Sequence, residues 1–241
     1  FVIGGGIVQD VGAFAAAMYK RGLPWVYIPT TLLAQGDSGI GGKTGLNHKS
    51  AKNLLALFSA PRRVVIHTDF LKTLAREDVL SGLGEVLRLH ITAGPDFLDA
   101  YEAGFKRFAA GEFDVLNELL VSALAAKRAI VERDEFELDL RRAMNYGHSV
   151  GHAFEALTDH EIPHGAAVTI GMLVENEISM RRRLLTRAER DRLFAAGKPL
   201  LSQAIVARLR DLNLDGVLDI LARDKKTEGR VLKLVVVAQI G

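Results

Sequence analysis

The sequence predicts an α/β segment over residues 1–75, followed by a mainly helical segment over residues 76–241. Short apolar runs bounded by glycine or proline dominate the first segment, as is typical of buried strands in a parallel sheet. Long stretches with apolar residues at helical spacing dominate the second segment. The 241 residues suffice for one or two domains with a real hydrophobic core.

Three short strands are predicted in the first segment, at Phe1–Ile3, Trp25–Pro29 and Val64–Thr68. A helix is predicted between the first two strands, over Asp10–Arg21, which gives the βαβ pattern of a parallel sheet. A late strand is predicted at Val231–Ala238. In the second segment, period 3.6 predicts helices over Arg76–Thr92, Asp114–Arg133, Tyr146–Leu157, Ala166–Arg183 and Arg187–Ala196.

Composition excludes several function classes. The net charge of +2, from 31 Lys+Arg and 29 Asp+Glu, argues against a nucleic-acid partner or a membrane-surface protein. The absence of cysteine excludes thiolate catalysis and Cys-ligated zinc. No uncharged apolar run approaches the ~20 residues of a membrane span, and no signal-peptide pattern opens the chain, so a cytoplasmic location is expected.

The first candidate site is the glycine run after the first strand, in the stretch GGGIVQD. Such a run lets the backbone approach a phosphate at a helix N-terminus, although a tight turn alone would also explain it. Polar loops at residues 29–33 and 36–45 follow the run, where open α/β sheets bind ligands. The second loop contains Gly-Lys-Thr, but Asp37 occupies the position of the first P-loop glycine. A nucleoside triphosphatase is therefore disfavoured, and Lys43 and Asn53 are better interpreted as contacts for a substrate phosphate.

The second candidate site is built from histidines. His148 and His152 stand four residues apart on one predicted helix face, and His164 directly precedes another helix. With the carboxylate of Glu85, two of these imidazoles would leave an open position, as catalytic zinc sites do. The remaining histidines, at positions 48, 67, 90 and 160, are interpreted as structural or solvent-facing.

Together these motifs resemble the 3-dehydroquinate synthase family of NAD-dependent sugar phosphate cyclases. The resemblance runs along the whole chain through GGGIVQD, YKRG, PTTLLAQGDSGIGGKTG, KNL, GEVLR, NYGHSVGHAFE, IPHGAAVTIGM and DKK. It implies that residues 1–75 are the C-terminal part of a Rossmann-like NAD-binding domain whose N-terminal part is absent. Residues 76–241 would form the helical metal- and substrate-binding domain.

The resemblance also implies roles for individual residues. The metal ligands would be Glu85, His148 and His164, holding zinc or cobalt. The NAD contacts would be Gly5, Gly6, Ile7, Asp10, Thr30, Thr31, Leu33, Lys43 and Lys52. The substrate contacts would be Arg21, Asp37, Lys43, Asn53, Arg88, Lys127, Arg141, Asn145, His152 and Lys226. Among these, Lys43, Arg88, His152 and Asn145 would be catalytic, and Arg21 would reach the neighbour's phosphate across a homodimer.

The implied activity is a phosphate-eliminating cyclisation with recycled NAD. Its substrate would be 3-deoxy-D-arabino-heptulosonate 7-phosphate and its product 3-dehydroquinate, in the shikimate pathway. Two departures bear on the substrate: Arg88 stands where lysine is usual, and Gln9 where glycine is usual. A paralogous cyclase with another substrate, a metal-dependent alcohol or polyol dehydrogenase, and a non-catalytic scaffold are the alternatives.

Overall fold

The computed structural model describes residues 1–48, 51–222, 227–228, 231–232 and 234–241. Its strands are β1 Val2–Gly4, β2 Val26–Pro29, β3 Lys43–His48, β4 Ala51–Phe58, β5 Arg63–Val64, β6 Thr227–Glu228 and β7 Val231–Leu232. Its helices are α1 Gly6–Met18, α2 Arg76–Ala93, α3 Pro95–Ala109, α4 Val115–Val131, α5 His148–Leu157, α6 His164–Arg181, α7 Arg187–Gly197, α8 Gln203–Arg210 and α9 Leu214–Ala222. The α/β part thus precedes the helical part, as predicted.

The first part of the chain forms a small parallel sheet in the order β1-β2-β5. Val2 lies opposite Tyr27, and Tyr27 lies opposite Val64. The predicted βαβ unit is therefore present. Its helix differs in extent from the predicted Asp10–Arg21: it begins at Gly6 and ends at Met18, because Lys20 and Arg21 adopt left-handed backbone with φ of 50° and 66°.

An antiparallel hairpin, β3–β4, follows the sheet and was not predicted. The hydroxyl of Thr44 donates to Asp10 Oδ1 over 3.1 Å, and the Gly45 amide donates to the same oxygen over 3.1 Å. These bonds attach the hairpin to α1. Lys43, the first residue of the hairpin, consequently stands beside the N-terminal half of that helix.

Helix α2 is the centre of the helical part, and every residue from 81 to 91 in it is buried. It packs against α3, α4 and α6 around the largest apolar core. The Ser81 hydroxyl accepts the Gly165 amide over 2.9 Å, which ties the first turn of α6 to α2. A second core joins α5 and α6 to α9. The site residues of α2, α5 and α6 are thereby brought to one place.

The five predicted helices of the second segment are all present, with ends shifted by at most about two residues. Helix α3 was missed, as were α8 and α9. The late strand predicted at Val231–Ala238 is wrong beyond Leu232. Within the described range 234–241 there is no strand, because Val235, Val237 and Ile240 pack against the main core and the Val237 amide donates to Ser179 Oγ.

No helix among the described residues combines the length and apolar character needed to cross a membrane.

Candidate active site

A cavity of about 680 Å³ opens between the α/β part and the helical part. Its size suits a small phosphorylated ligand. Most of the side chains predicted to form a site converge on it. The lining residues are Gly6, Ile7, Asp10, Leu33, Asp37, Ser38, Lys43, Asn47, Asn53, Arg88, Lys127, Glu137, Arg141, Met144, Asn145, His148, His152, Glu155, His160 and His164.

Glu85 meets two of the imidazoles that line this cavity, those of His148 and His164. Its carboxylate is fully buried on α2, and its Oε1 lies 3.4 Å from His148 Nε2 and 3.2 Å from His164 Nε2. That oxygen makes no hydrogen bond within the described part of the chain. A buried carboxylate oxygen without a hydrogen bond, facing two ring nitrogens, has the donor chemistry that a divalent metal requires.

Contacts on the far side of each ring orient the two imidazoles. His164 Nδ1 lies 3.0 Å from Glu155 Oε1, and His148 Nδ1 lies 3.2 Å from the Tyr146 carbonyl oxygen. Each ring therefore turns its Nε2 toward Glu85. Outer partners of this kind fix the tautomer of metal-ligating histidines.

Burial and charge set the ionisation of this group. Burial lowers the pKa of His148 to about 4, which leaves this imidazole neutral at neutral pH. Burial also opposes a charge on His164, but Glu155 and Glu85 outweigh it and raise the His164 pKa to about 9. Burial likewise opposes ionisation of Glu85, yet Arg88 and the two imidazoles hold its pKa well below the usual range. The carboxylate is thus anionic, and a cation is favoured beside it.

His152 stands close to the other two imidazoles. One ring nitrogen from each of His148, His152 and His164 lies within 4.8 Å of the others. The ring of His152 is 5.4 Å from that of His148, centroid to centroid, and its Nε2 is 3.9 Å from Glu155 Oε2. The geometry accordingly offers two donor sets, one with Glu85 and one with His152.

A network of buried charges occupies the wall beside Glu85. Arg88 donates from Nε to Glu85 Oε2 over 2.6 Å, from Nη1 to the Met144 carbonyl over 2.8 Å, and from Nη2 to Asp37 Oδ1 over 2.9 Å. Lys127 Nζ also lies 2.8 Å from Asp37 Oδ1. Burial opposes ionisation of Asp37, but Lys127 and Arg88 outweigh it and lower the Asp37 pKa. The guanidinium of Arg88 is therefore committed to protein acceptors.

Glu137 is one of six lining residues that were not predicted from the sequence; the others are Ser38, Asn47, Met144, Glu155 and His160. The Glu137 carboxylate pairs with Lys43 Nζ and accepts from Asn145 Nδ2 over 2.6 Å, so it holds two predicted catalytic residues together. Glu137 has a left-handed backbone with φ of 60°. Strain of this kind in a polar loop is a signal of function in a structure, but it leaves no trace in sequence.

Arg141 links two loops at the mouth of the cavity. Its guanidinium donates to the Gly41 carbonyl over 3.0 Å and also to the Glu135 carbonyl. The Asp134 carboxylate accepts the Arg141 amide over 2.9 Å, which fixes the backbone at this position. The side chain is buried while still lining the cavity.

The predicted cofactor turn lies at the N-terminus of α1. Gly5 precedes the helix, and Gly6 and Ile7 open it at the cavity edge. Thr31 packs beside Gly5 and its hydroxyl accepts the Ala34 amide. Gln9 is buried, and its Nε2 donates to the Ser38 carbonyl over 2.7 Å. Its extra bulk therefore joins α1 to the loop that carries Asp37.

Several predicted residues lie elsewhere. Arg21 is exposed at the far end of α1 and does not line the cavity. Thr30 follows β2, where its amide donates to the Gly4 carbonyl. Lys226 lies outside the described residues, and only the backbone of Lys52 is described.

Two family models together match most of the chain. Residues 1–81 match the family model described as 3-dehydroquinate synthase N-terminal, and residues 82–227 match that described as 3-dehydroquinate synthase C-terminal. A 3-dehydroquinate synthase of Geobacter metallireducens is 39% identical over 240 residues, which are 99% of this chain and 66% of that protein. The chain thus spans slightly less than two thirds of this relative.

Two solved structures are also similar. A 2-epi-5-epi-valiolone synthase from Streptomyces hygroscopicus subsp. jinggangensis 5008, with NAD⁺ and Zn²⁺ bound, has a TM-score of 0.85 and 28% identity. A 2-deoxy-scyllo-inosose synthase complexed with carbaglucose-6-phosphate, NAD⁺ and Co²⁺ has a TM-score of 0.81 and 25% identity. Each alignment covers 100% of this chain and 66% of the other.

Proposed function

This chain belongs to the 3-dehydroquinate synthase family, and from that membership we propose that it is the catalytic part of an NAD- and divalent-metal-dependent carbon–oxygen lyase. The proposed reaction cyclises 3-deoxy-D-arabino-heptulosonate 7-phosphate to 3-dehydroquinate and releases phosphate, a step of the shikimate pathway. The observation that carries the proposal is the meeting of Glu85 with His148 and His164, which line a cavity that also contains several buried cations.

The donor set fits zinc or cobalt, and the glycine turn before α1 fits the pyrophosphate of NAD. When bound, the metal would polarise a substrate oxygen, and NAD would accept and return a hydride. Glu85, His148 and His164 would hold the metal. Gly5, Gly6 and Ile7 would face the pyrophosphate, and Asp10 and Leu33 the nicotinamide half.

The cations of the cavity would bind the acidic groups of the substrate. Lys127 and Arg141 come from separate elements and are both buried, so their charges act in a medium of low polarity. A guanidinium can bind a carboxylate through two parallel hydrogen bonds, which favours Arg141 for the substrate carboxylate. Asp37 and Asn53 would then contact hydroxyl groups.

Lys43 and His152 would exchange protons with the substrate. Burial lowers the pKa of Lys43, although Glu137 partly restores it, and this shift brings the amine closer to neutral pH. Asn145 shares the Glu137 carboxylate with Lys43 and would keep that pair in place. Arg88 would act by holding Glu85 and Asp37 rather than by moving a proton, because a guanidinium stays protonated.

The proposal includes a cytoplasmic homodimer in which Arg21 supplies a phosphate contact to the neighbouring subunit. The exposed position of Arg21, away from the cavity of its own chain, supports such a role. Arg21→Ala should weaken binding of the phosphorylated substrate much more than binding of NAD. Equal loss of both affinities would argue against the contact.

A paralogous cyclase acting on another sugar phosphate is the second candidate. It is favoured by Arg88, whose contacts with Glu85, Met144 and Asp37 commit its guanidinium to the protein. The likeness to structures of synthases with other names also supports it.

The deciding experiment measures phosphate release from three substrates: 3-deoxy-D-arabino-heptulosonate 7-phosphate, sedoheptulose 7-phosphate and glucose 6-phosphate. Preference for the first is expected, and Arg141→Met should reduce that preference because only the first carries a carboxylate. Arg142→Met, at the exposed neighbouring position, is the matched control. Preference for a substrate without a carboxylate would favour the second candidate.

A further inference from the structure

Two buried residues of α6 hold the short segment that leads into α5. Glu175 is fully buried, and its Oε2 accepts the Gly147 amide over 2.7 Å. Asn176 is also buried, and its Oδ1 accepts the Tyr146 hydroxyl over 2.6 Å. Neither residue lines the cavity, so neither touches a substrate there.

The peptide group between Tyr146 and Gly147 connects these contacts to His148. In a trans peptide the carbonyl and the amide point in opposite directions within one plane. On one side of this peptide group, the Gly147 amide donates to Glu175 Oε2. On the opposite side, the Tyr146 carbonyl oxygen lies 3.2 Å from His148 Nδ1. The orientation of the Glu175 carboxylate therefore fixes the oxygen that orients the imidazole.

The backbone at Gly147 allows this arrangement. Its φ is 78°, and a Cβ there would come within 2.6 Å of the Val168 carbonyl oxygen on α6. Glycine is thus required both for the left-handed turn and for the close approach of α6. Because α6 lies so near, a side chain from it can reach the peptide group directly.

Tyr146 anchors the same peptide group from its side chain. Its ring is 1% exposed, and its hydroxyl donates to Asn176 Oδ1 over 2.6 Å. The segment is thus held at two points by consecutive residues of one helix. Consecutive hydrogen bonds also polarise one another, which makes the Tyr146 carbonyl a better acceptor for the ring.

We propose that Glu175 and Asn176 are positioning residues for His148, acting through the Tyr146–Gly147 peptide group to set the imidazole for metal binding. The inference rests on the proposed function, because it takes His148 to be a metal ligand. Outer partners of metal-ligating histidines typically change metal affinity about 10–100-fold when they are replaced.

The test measures the Zn²⁺ dissociation constant by competition with a chromophoric chelator, and the absorption spectrum of the chain loaded with Co²⁺. Glu175→Met removes the acceptor and should weaken Zn²⁺ binding about tenfold and shift the Co²⁺ bands. Glu175→Gln keeps an acceptor and should restore most of the affinity. Glu177→Met, on the same helix but partly exposed and paired with Arg181, is the matched control and should bind Zn²⁺ as the wild type does.

Tyr146→Phe is the second variant, and it removes only the hydroxyl that donates to Asn176. It tests the inference if Glu175→Met fails to fold. It should also weaken Zn²⁺ binding measurably. Wild-type affinity and an unchanged Co²⁺ spectrum in the folded variants would overturn the inference alone. Zn²⁺ binding by the wild type that is absent, or unaffected by His148→Ala, would instead overturn the metal site of the proposed function and the inference with it.

Discussion

Arg88 donates a 2.6 Å hydrogen bond to Oε2 of Glu85, leaving Oε1 of the same carboxylate to face His148 and His164. The guanidinium thus pairs with Oε2 of Glu85, while Oε1 is directed at the candidate metal position. The same guanidinium reaches Asp37 over 2.9 Å. Arg88 therefore joins the candidate metal position to the part of the cavity wall that contains Asp37.

Removing this guanidinium should destabilise the chain. Arg88→Met leaves the buried carboxylates of Glu85 and Asp37 short of a cation, and we expect a loss of about 3–5 kcal/mol in the free energy of unfolding. Arg88→Lys keeps the charge but cannot reach all three acceptors, so its loss should be intermediate. Urea denaturation of the metal-free chain measures both values.

Arg128 provides the control for this series. Its ion pair with Glu132 is exposed, so Arg128→Met should cost no more than about 1 kcal/mol. Similar losses for Arg88→Met and Arg128→Met would contradict the positioning role of Arg88.

The two possible sets of metal ligands, His148 and His164 with either Glu85 or His152, lead to opposite predictions. With Glu85 as a ligand, Glu85→Gln should weaken Zn²⁺ binding by more than about 100-fold, beyond the range of outer partners. His152→Ala should then retain Zn²⁺ and lose activity. Equilibrium dialysis with metal analysis measures the binding. The reverse pattern would show that the three imidazoles are the ligands.

Asp37 should contribute stability that depends on pH. Burial raises its pKa, but Lys127 and Arg88 outweigh burial, so its pKa is lower in the folded chain than in the unfolded chain, where it is about 3.9. Its stabilisation is therefore present above about pH 4 and is lost as pH falls through the folded value. Asp37→Asn should cost about 3 kcal/mol near neutral pH.

Urea denaturation of the wild type and of Asp37→Asn, at acidic and neutral pH, measures the pH dependence of the stabilisation by Asp37. The difference between the two unfolding free energies should be constant from about pH 7 to about pH 5 and shrink below about pH 4. A difference that stays constant into strong acid would refute the ion pairing of Asp37.

Gly41 offers a way to displace Arg141 without replacing it. Gly41 has φ of 99°, and a Cβ there would lie 2.3 Å from Arg141 Nη2. Gly41→Ala should raise the KM for 3-deoxy-D-arabino-heptulosonate 7-phosphate about tenfold or more, because that is the effect of losing a hydrogen bond to a charged group. Steady-state kinetics measures the change.

Gly111 is the matched control, because its φ is also 99° and no described atom lies within 4 Å of the added Cβ. Both alanine variants should lose about 1–2 kcal/mol of stability through backbone strain. An equal rise of KM in both would exclude a specific effect on Arg141.

Much of the fold was predictable because its signals are local. The alternation of glycine turns and apolar runs predicted β1, α1 and β2, and helical periodicity predicted α2 and α4. Helix α3 was missed although Pro95 stands at its first position, where proline is favoured. The hairpin β3–β4 was missed because its ends are rich in glycine and polar residues, which resembles a loop.

The site was predictable where motifs carry it and not where only tertiary contacts do. His148 and His164 were predicted as metal ligands through spacing and resemblance, and the structure places both beside Glu85. Glu137 was missed because it stands among other acids in a polar loop, where charge is ordinarily solvated. The commitment of Arg88 to three protein acceptors, and the link from Glu175 to His148, depend on helix packing that no local pattern records.

The proposed reaction eliminates phosphate from the substrate while the NAD cofactor is recycled. The most direct measurement follows phosphate and reduced NAD together, with Zn²⁺ present and NAD⁺ supplied well below the concentration of 3-deoxy-D-arabino-heptulosonate 7-phosphate. We expect phosphate in large excess over the NAD⁺ supplied, with no accumulation of NADH. Phosphate that never exceeds the NAD⁺ supplied, together with NADH that accumulates as substrate is consumed, would contradict the proposed reaction and indicate a dehydrogenase.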